Sequence, residues 1–450
     1  MQLENGLKAA FYTFGCRLNQ AETALISQSF RNEKYEIADI NEHVDVCIIN
    51  SCTVTEQADA RCRQLVRQVL RRNADTFIAV VGCYSQTAAE SLKRIDGIDL
   101  IVGSQDKMDV VRYIDVPAKR SEPIVVLNKM SRQPFTIENT GTNLPTTRAN
   151  LKIQDGCNFM CSFCVVPFAR GRARSRAFWD IQREAIRLTD AGYKEIVVTG
   201  VNIGTYNFED KYFIDVIKML LAIPALKRLR ISSIEPATLT EEIFDLMREN
   251  EKLCPHLHLP LQSGSDKILL DMKRHYNSGE FLQFVNQGVA KVPDILIATD
   301  MIVGFPTESE LDFEKSGSIM QDSPLVYAHI FNYSDRKGTA TEHIKGRVDP
   351  KIKKKRSKIL HQISDTKKEA FYRRFIGRKL RVLTEEKDQN DCWSGFSDNY
   401  IKVSIGNGST LQRNQLVDVK ISDVRNGFAI GFVESDSAHF EIEQLEEINT

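Results

Sequence analysis

Three cysteines lie within the eight residues CNFMCSFC, as Cys157, Cys161 and Cys164. A tight loop can turn their side chains toward one centre, and thiolates are soft ligands that select zinc or an iron–sulfur cluster over hard cations. Three thiolates are one short of the four that close a structural zinc site or a fully ligated cluster. The C-x3-C-x2-C spacing also matches no zinc-finger pattern. It predicts a cubane cluster with one open iron; three buried or disulfide-forming cysteines are the alternative.

The elements that must position this loop begin at residue 149, where apolar strands alternate with helical patterns. Six β/α units are too few for a closed eightfold barrel, so we expect an open, partial (β/α)6 barrel with its chemistry at the carboxyl ends of the strands. The expected strands are 151–154, 194–199, 228–234, 257–261, 295–303 and 325–332.

The loops after these strands predict a cofactor pocket. The cysteine loop follows the first strand, and TGVNIG, SSIEP, HLPLQSGS and TDMIVGFP follow the next four. Glycines would let the backbone approach a ligand closely, and polar side chains offer further contacts. The candidates are Gly200, Gly264, Gly304, Asn202, Glu235 and Gln262.

A second set of three thiols is predicted near the N-terminus. Short apolar strands at 8–16, 44–52 and 76–83 each end in a cysteine and alternate with helical stretches. This pattern favours a doubly wound parallel sheet, in which ligands bind beyond the carboxyl ends of the strands. Cys16, Cys52 and Cys83 would then converge on one site, although they are far apart in the sequence.

Arginines alternate with other residues directly after the cysteine loop, in VVPFARGRARSR at 165–176. Guanidinium groups beside a reactive centre suit phosphate or another anionic group of a substrate. A solvated loop is the alternative interpretation.

Composition indicates an ordinary globular protein of a reducing compartment. The chain has 450 residues, 42% hydrophobic and 27% charged, with ten cysteines. No apolar run approaches the roughly 20 residues that a bilayer span requires, and the start lacks the pattern of a signal peptide. We therefore expect a cytoplasmic protein without a membrane partner.

The C-terminal third predicts a polyanion partner. Residues 343–381 hold fifteen Lys or Arg and three acidic residues, whereas 438–450 hold four Glu and no Lys or Arg. Short alternating strands after residue 374 predict a small antiparallel barrel of the kind that binds oligonucleotides. A solvated helix face is the alternative for the basic stretch. The expected divisions are a domain at 1–119, a linker at 120–148, a barrel at 149–373, a small barrel at 374–437 and an acidic tail at 438–450.

With both cysteine sets in view, the whole chain resembles the methylthiotransferase family of the radical S-adenosylmethionine (radical SAM) superfamily. This resemblance implies two 4Fe–4S clusters, an auxiliary one on Cys16, Cys52 and Cys83 and one that binds SAM on Cys157, Cys161 and Cys164. It also implies a C-terminal, OB-like TRAM domain that binds RNA. Residues that fall where SAM contacts are found in the family are Gly200, Asn202, Glu235, Gln262 and Ile302.

Two stretches resemble the family branch that modifies N6-threonylcarbamoyladenosine at position 37 of tRNA, namely TFGCRLNQAE at 13–22 and VVPFARGRARSR at 165–176. The isopentenyladenosine branch has Gln-Met after the first of these cysteines. Phe14 and Phe168 replace a commoner Leu and Tyr. Because the threonylcarbamoyl group adds a carboxylate, we expect Arg17, Arg170 and Arg172 to meet it.

The resemblance implies that SAM is used twice, once to methylate a sulfur and once to generate the radical that removes hydrogen from C2 of the adenine. No side chain is then needed as an acid or base. The implied partners are the anticodon stem-loop of tRNA, a sulfur donor, and an electron donor such as flavodoxin or ferredoxin. The alternatives are methylthiolation of isopentenyladenosine or of a ribosomal protein, and an iron–sulfur RNA-binding redox sensor.

Overall fold

The computed structural model describes residues 6–138, 141, 146–388, 391–406 and 410–433. The chain forms two units, Met1–Lys367 and Lys368–Thr450. The predicted acidic tail lies outside the described residues, and the predicted domain limits stay predictions.

A six-stranded parallel sheet forms the N-terminal part of the first unit, with strand order β2-β1-β3-β4-β5-β6. Its strands are β1 Lys8–Thr13, β2 Glu36–Ile37, β3 Val46–Ser51, β4 Phe77–Gly82, β5 Leu100–Val102 and β6 Ile124–Val126. The helices are α1 Arg17–Asn32, α2 Glu56–Arg72 and α3 Cys83–Lys93, with a 3-10 helix at Lys107–Tyr113. The edge strand β6 lies inside the predicted linker.

Both faces of this sheet are covered, which confirms the doubly wound prediction. Helices α2 and α3 pack apolar side chains on one face, and α1 and the 3-10 helix pack on the other. All residues of β3 and β4 are buried, as expected for strands that are apolar on both sides. The strand order reverses between β1 and β3, and such a switch point opens a crevice at the carboxyl end of a sheet.

Six parallel strands form the second part of this unit. They run β7-β10-β13 in one sheet and β14-β15-β16 in another, joined by the bridges Leu229–Leu253 and Ser233–His258. Their bounds are β7 Ala149–Lys152, β10 Glu195–Thr199, β13 Arg228–Ile231, β14 His256–His258, β15 Leu296–Val303 and β16 Tyr327–Asn332. The partial barrel is confirmed, because each predicted strand overlaps an observed one.

The remaining elements of the barrel region surround these strands. Short antiparallel pairs are β8 Gln154–Asp155 with β9 Arg174–Ser175 and β11 Asn207–Phe208 with β12 Lys211–Tyr212. The α-helices are α4 Val166–Arg170, α5 Phe178–Asp190, α6 Phe213–Leu221, α7 Glu242–Glu249, α8 Asp266–Asp271, α9 Ser278–Lys291, α10 Glu310–Asp322 and α11 Pro350–Arg373, which contains the division between the units. The 3-10 helices are Ile203–Thr205, Pro236–Thr238 and Ala340–His343.

Local sequence explains where two of these helices begin. Asn277 and Glu280 form a reciprocal capping box at the start of α9, and Ser309 and Asp312 form one at the start of α10. Each pair satisfies backbone N–H groups that have no partner within the first helical turn.

The second unit contains a closed five-stranded barrel in the order β17-β18-β19-β21-β20. Its strands are β17 Lys379–Lys387, β18 Trp393–Ser397, β19 Lys402–Ile405, β20 Leu416–Arg425 and β21 Phe428–Val433. The prediction of a small barrel is confirmed with one refinement, because β19 and β21 pair in parallel. Among the described residues, none of the helices is both long enough and apolar enough to cross a bilayer.

Candidate active site

The three N-terminal cysteines lie at the carboxyl ends of adjacent strands. Cys16 immediately precedes α1, Cys52 follows β3, and Cys83 is the first residue of α3 after β4. Strands β1, β3 and β4 are neighbours, so the sheet brings together residues that are distant in the sequence. Cys52 and Cys83 are buried, whereas Cys16 is exposed at the rim.

Close packing holds these thiols near one another. A Cβ atom on Gly15 would lie 2.7 Å from Cβ and 2.8 Å from Sγ of Cys52. Burial raises the pKa of the Cys52 thiol to about 12, and the neighbouring thiols of Cys83 and Cys16 add to the rise. The influence of Cys83 and Cys16 on this pKa indicates that the three thiols are neighbours, and a metal centre bound there would have to displace their protons.

The loop that carries the other three cysteines is fixed at both ends. The Cys157 N–H donates to the Gly171 carbonyl at 3.1 Å. Ser162 donates its N–H to the Met272 carbonyl at 3.0 Å and its hydroxyl to the Asp271 carbonyl at 2.7 Å. Cys157, Cys161 and Cys164 are all half-buried, so the loop keeps its thiols accessible while its backbone is attached to the barrel.

Arg274 is a site residue that sequence reasoning missed. Its Nη1 donates to Cys161 Sγ at 3.3 Å, and its Nη2 lies 2.6 and 2.7 Å from the two carboxylate oxygens of Glu235. Burial raises the pKa of the Glu235 carboxyl, although Arg274 opposes the rise. The only signal in the sequence is the segment DMKRHY, where an arginine stands between Met272 and Tyr276 after the fourth rim loop.

The predicted SAM contacts all come from rim loops or strand ends of the barrel. Asn202 Nδ2 lies 3.9 Å from Cys157 Sγ, and its Oδ1 is buried without a hydrogen-bond partner among the described residues. Gln262 has a left-handed backbone (φ 75°), and its carbonyl accepts the Ile302 N–H at 2.8 Å. An unpartnered buried amide oxygen beside a cysteine is a group that a bound cofactor would satisfy.

The glycines of the rim pack closely against other parts of the protein. A Cβ atom on Gly200 would lie 2.8 Å from the Gln154 carbonyl oxygen, and one on Gly264 would lie 2.6 Å from Ser316 Cα. A Cβ atom on Gly304 would lie 2.4 Å from Lys353 Cγ. At these positions a side chain would collide with neighbouring parts of the protein. A glycine at the end of a strand can serve such packing or the close approach of a ligand, and its position in the sequence does not distinguish the two.

The structure separates the arginines that were predicted to meet the substrate. Arg170 is only 2% exposed, and its guanidinium donates to Glu22, Asp155 and Asn19. Arg172 is exposed, and no described residue forms an ion pair with it. Arg17 is half-buried at the start of α1, next to Cys16. Both terminal nitrogens of Arg170 are thus bound within the protein, and a substrate contact by Arg170 stays a prediction.

The donor type of the thiols suits iron–sulfur clusters. No set of three His, Cys, Asp or Glu side chains in the described ranges is arranged to hold one metal ion. Three thiolates on a cubane cluster each bind a different iron, so their sulfur atoms do not have to meet at one ion. Soft, purely thiolate donor sets are also those that iron–sulfur clusters require.

Two family models match the chain. The "Uncharacterized protein family UPF0004" matches residues 8–103, which covers the N-terminal sheet through β5. The "Radical SAM superfamily" matches residues 151–317, which covers the barrel through most of α10. Each match contains one of the two sets of three cysteines.

Similar proteins extend over almost the whole chain. Threonylcarbamoyladenosine tRNA methylthiotransferase MtaB of Bacillus subtilis is 36% identical over 92% of this chain and 93% of its own length. The tRNA-2-methylthio-N(6)-dimethylallyladenosine synthase of Clostridium tetani is 32% identical over 92% and 94%. The radical S-adenosylmethionine methyltransferase TsrM of Kitasatospora setae shares the fold, with a TM-score of 0.51, 14% identity and coverage of 73% and 75%.

Proposed function

The chain belongs to the radical SAM methylthiotransferase family, and on this basis we propose that it adds a methylthio group to C2 of N6-threonylcarbamoyladenosine at position 37 of tRNA. The observation that carries the proposal is the presence of two sets of three cysteines, each at the carboxyl ends of the strands of its own domain. A plain methylase would need only one set.

Cys157, Cys161 and Cys164 would hold the 4Fe–4S cluster that binds SAM. When bound, the cluster and SAM supply the radical chemistry that an unactivated aromatic C–H bond requires. The residues that would contact SAM are Gly200, Asn202, Glu235, Gln262 and Ile302. Asn202 supports this assignment through its unpartnered Oδ1 beside Cys157, and Arg274 would orient Glu235.

Cys16, Cys52 and Cys83 would hold the second, auxiliary 4Fe–4S cluster. Their convergence at the switch point of the sheet supports the proposal, as does Gly15, which leaves room for Cys52. The burial of two of these thiols would exclude water from reactive sulfur.

Arg17 and Arg172 are the proposed contacts to the threonylcarbamoyl carboxylate. Both follow a cysteine loop, and a guanidinium matches a carboxylate through paired hydrogen bonds. The isopentenyl group carries no charge, so these arginines favour the threonylcarbamoyl substrate. Dimethylallyladenosine is the second candidate substrate, because the Clostridium tetani relative is named for it.

The remaining partners follow from this chemistry. The C-terminal barrel would bind the anticodon stem-loop of tRNA. An electron donor such as flavodoxin or ferredoxin would reduce the cluster that binds SAM, and a sulfur donor would replace the sulfur that is transferred to tRNA. A tRNA substrate also supports the cytoplasmic prediction.

Mass spectrometry of nucleosides from digested tRNA tests the proposal, in cells with and without the gene. We expect deletion to remove the 2-methylthio mark from threonylcarbamoyladenosine only, and a wild-type copy to restore it. Copies with Cys16→Ala or Cys161→Ala should not restore the mark. The control Cys254→Ala, which removes a buried cysteine outside both sets, should restore it. Loss of the mark from isopentenyladenosine instead would refute the substrate, and no loss from either would refute the activity on tRNA.

A further inference from the structure

A buried ion cluster joins the N-terminal sheet to the barrel next to both sets of cysteines. We use this name for Glu22, Lys107, Lys152, Asp155 and Arg170, none of which is more than 6% exposed. Arg170 donates Nη1 and Nη2 to the two carboxylate oxygens of Glu22, each at 2.9 Å. Lys107 and Lys152 also donate to Glu22. One carboxylate of α1 thus binds cations from both parts of the unit.

Arg170 is rigidly connected to the SAM cysteine loop. Arg170 is the last residue of the short helix α4, which begins two residues after Cys164. The next residue, Gly171, accepts the Cys157 N–H at 3.1 Å. Arg170 Nη1 also donates to Asp155 at 3.0 Å, and Asp155 accepts the Gly156 N–H at 2.9 Å. Both ends of the loop are therefore fixed relative to this guanidinium.

Asn19 connects the same guanidinium to the auxiliary cysteine loops. Its side-chain oxygen accepts from Arg170 Nη2 at 2.5 Å. Its Nδ2 donates to the carbonyl of Phe14, at 2.8 Å, and to the carbonyl of Ser51, at 3.1 Å. Phe14 lies two residues before Cys16, and Ser51 directly precedes Cys52. One buried amide therefore links Arg170 to the backbone of two auxiliary loops.

These contacts form a continuous path of hydrogen bonds between the two sets of cysteines. We propose that Arg170 is a positioning residue that, through Asn19 and Glu22, fixes the distance between the loop of Cys157, Cys161 and Cys164 and the loops of Cys16 and Cys52. The inference rests on the proposed function, in which a methylthio group must pass between the two centres. A planar, two-pronged guanidinium suits this role because it defines orientation as well as distance.

The test compares two variants. Arg170→Lys keeps the positive charge but loses the paired N–H donors of the guanidinium, and Asn19→Ala breaks the path of hydrogen bonds without removing a charge. Arg228→Lys is the matched control, because Arg228 pairs with Glu195 at 2.9 Å in a fully buried site at the opposite ends of the barrel strands. Two quantities are measured in enzyme with both clusters assembled. One is the distance distribution between the reduced clusters by pulsed dipolar EPR, and the other is the methylthio product formed per SAM cleaved.

We expect both test variants to keep their iron and to cleave SAM, but with a broader distance distribution than the wild type. Product per SAM cleaved should fall about tenfold to a hundredfold, the loss that follows from misplacing reacting groups by about 1 Å. Arg228→Lys should match the wild type in both measurements. If Arg170→Lys lost its iron, the distance distribution and the product ratio of Asn19→Ala would test the inference instead.

Distances and product ratios in Asn19→Ala and Arg170→Lys equal to those of Arg228→Lys would overturn the inference. So would an unchanged distance distribution in Arg170→Lys with only a raised KM for threonylcarbamoyl tRNA, since that result indicates a substrate contact. A wild-type enzyme that cleaves SAM but modifies no tRNA would instead contradict the proposed function.

Discussion

Gly15 packs directly against Cys52, one of the three cysteines of the proposed auxiliary site. Its backbone is left-handed (φ 92°), and an added Cβ atom would lie 2.7 Å from Cys52 Cβ. We expect Gly15→Ala to displace Cys52 and to lower the iron bound at the N-terminal site to less than about half, because a buried thiol has little freedom to move away. Backbone strain adds a loss of stability of about 1–3 kcal/mol. Iron content and thermal unfolding measure the two effects.

Gly192→Ala is the control for Gly15→Ala. Gly192 has nearly the same backbone angle (φ 93°), but an added Cβ atom would have no neighbour within 4 Å. It should therefore lose a similar amount of stability and keep all of its iron. Equal iron contents in the two variants would show that Gly15 has no specific effect on Cys52.

At the scale of elements, the rim loop after β14 depends on contact with α10. Ser316, near the middle of α10, accepts the Gly264 N–H on its hydroxyl oxygen at 2.9 Å. A Cβ atom on Gly264 would lie 2.6 Å from Ser316 Cα. We expect Gly264→Ala to separate the loop from the helix and to destabilise the fold by about 1–3 kcal/mol, as overpacking does. Chemical denaturation measures this loss.

The neighbouring helical position supplies a matched comparison. Gly317 also lies in α10, but a Cβ atom there would meet nothing within 4 Å. Gly317→Ala should stabilise the fold by about 0.5–1 kcal/mol, because alanine restricts the unfolded chain and favours a helix. The interpretation of Gly264 fails if both substitutions change stability in the same direction.

At the scale of the whole molecule, the C-terminal barrel is the proposed surface for a polyanion. Lys379 on β17 and Lys420 on β20 are directly opposite each other in the strand pairing. Both side chains are cationic, so together they would offer a phosphate two positive charges. We expect the double variant Lys379→Gln and Lys420→Gln to weaken tRNA binding. The slope of log affinity against log salt should become shallower by about one to two units.

A control for this prediction comes from the first unit. Lys218 is about half exposed and pairs with Glu242, so Lys218→Gln removes one surface charge from the other unit. Binding titrations at several salt concentrations should find it equal to the wild type. An unchanged salt slope in the double variant would exclude these two lysines from phosphate contact.

The amino-acid sequence was sufficient for the features that depend on local order. Thiols three and four residues apart define a loop site whatever surrounds them. Alternating apolar strands and helices predicted both the parallel sheet and the partial barrel, because buried parallel strands must be apolar on both faces. Even the convergence of Cys16, Cys52 and Cys83 followed, since parallel strands end at the same edge.

Only the tertiary structure decided the surroundings of the arginines. Arg170 and Arg172 stand two residues apart in one motif, yet one is buried against Glu22 and the other is exposed. Glu22, which pairs with Arg170, is 148 residues away from it in the sequence. Cys161, which accepts from Arg274, is 113 residues away. No local pattern encodes such pairs, because a charged side chain is buried or exposed according to which opposite charge folding brings beside it.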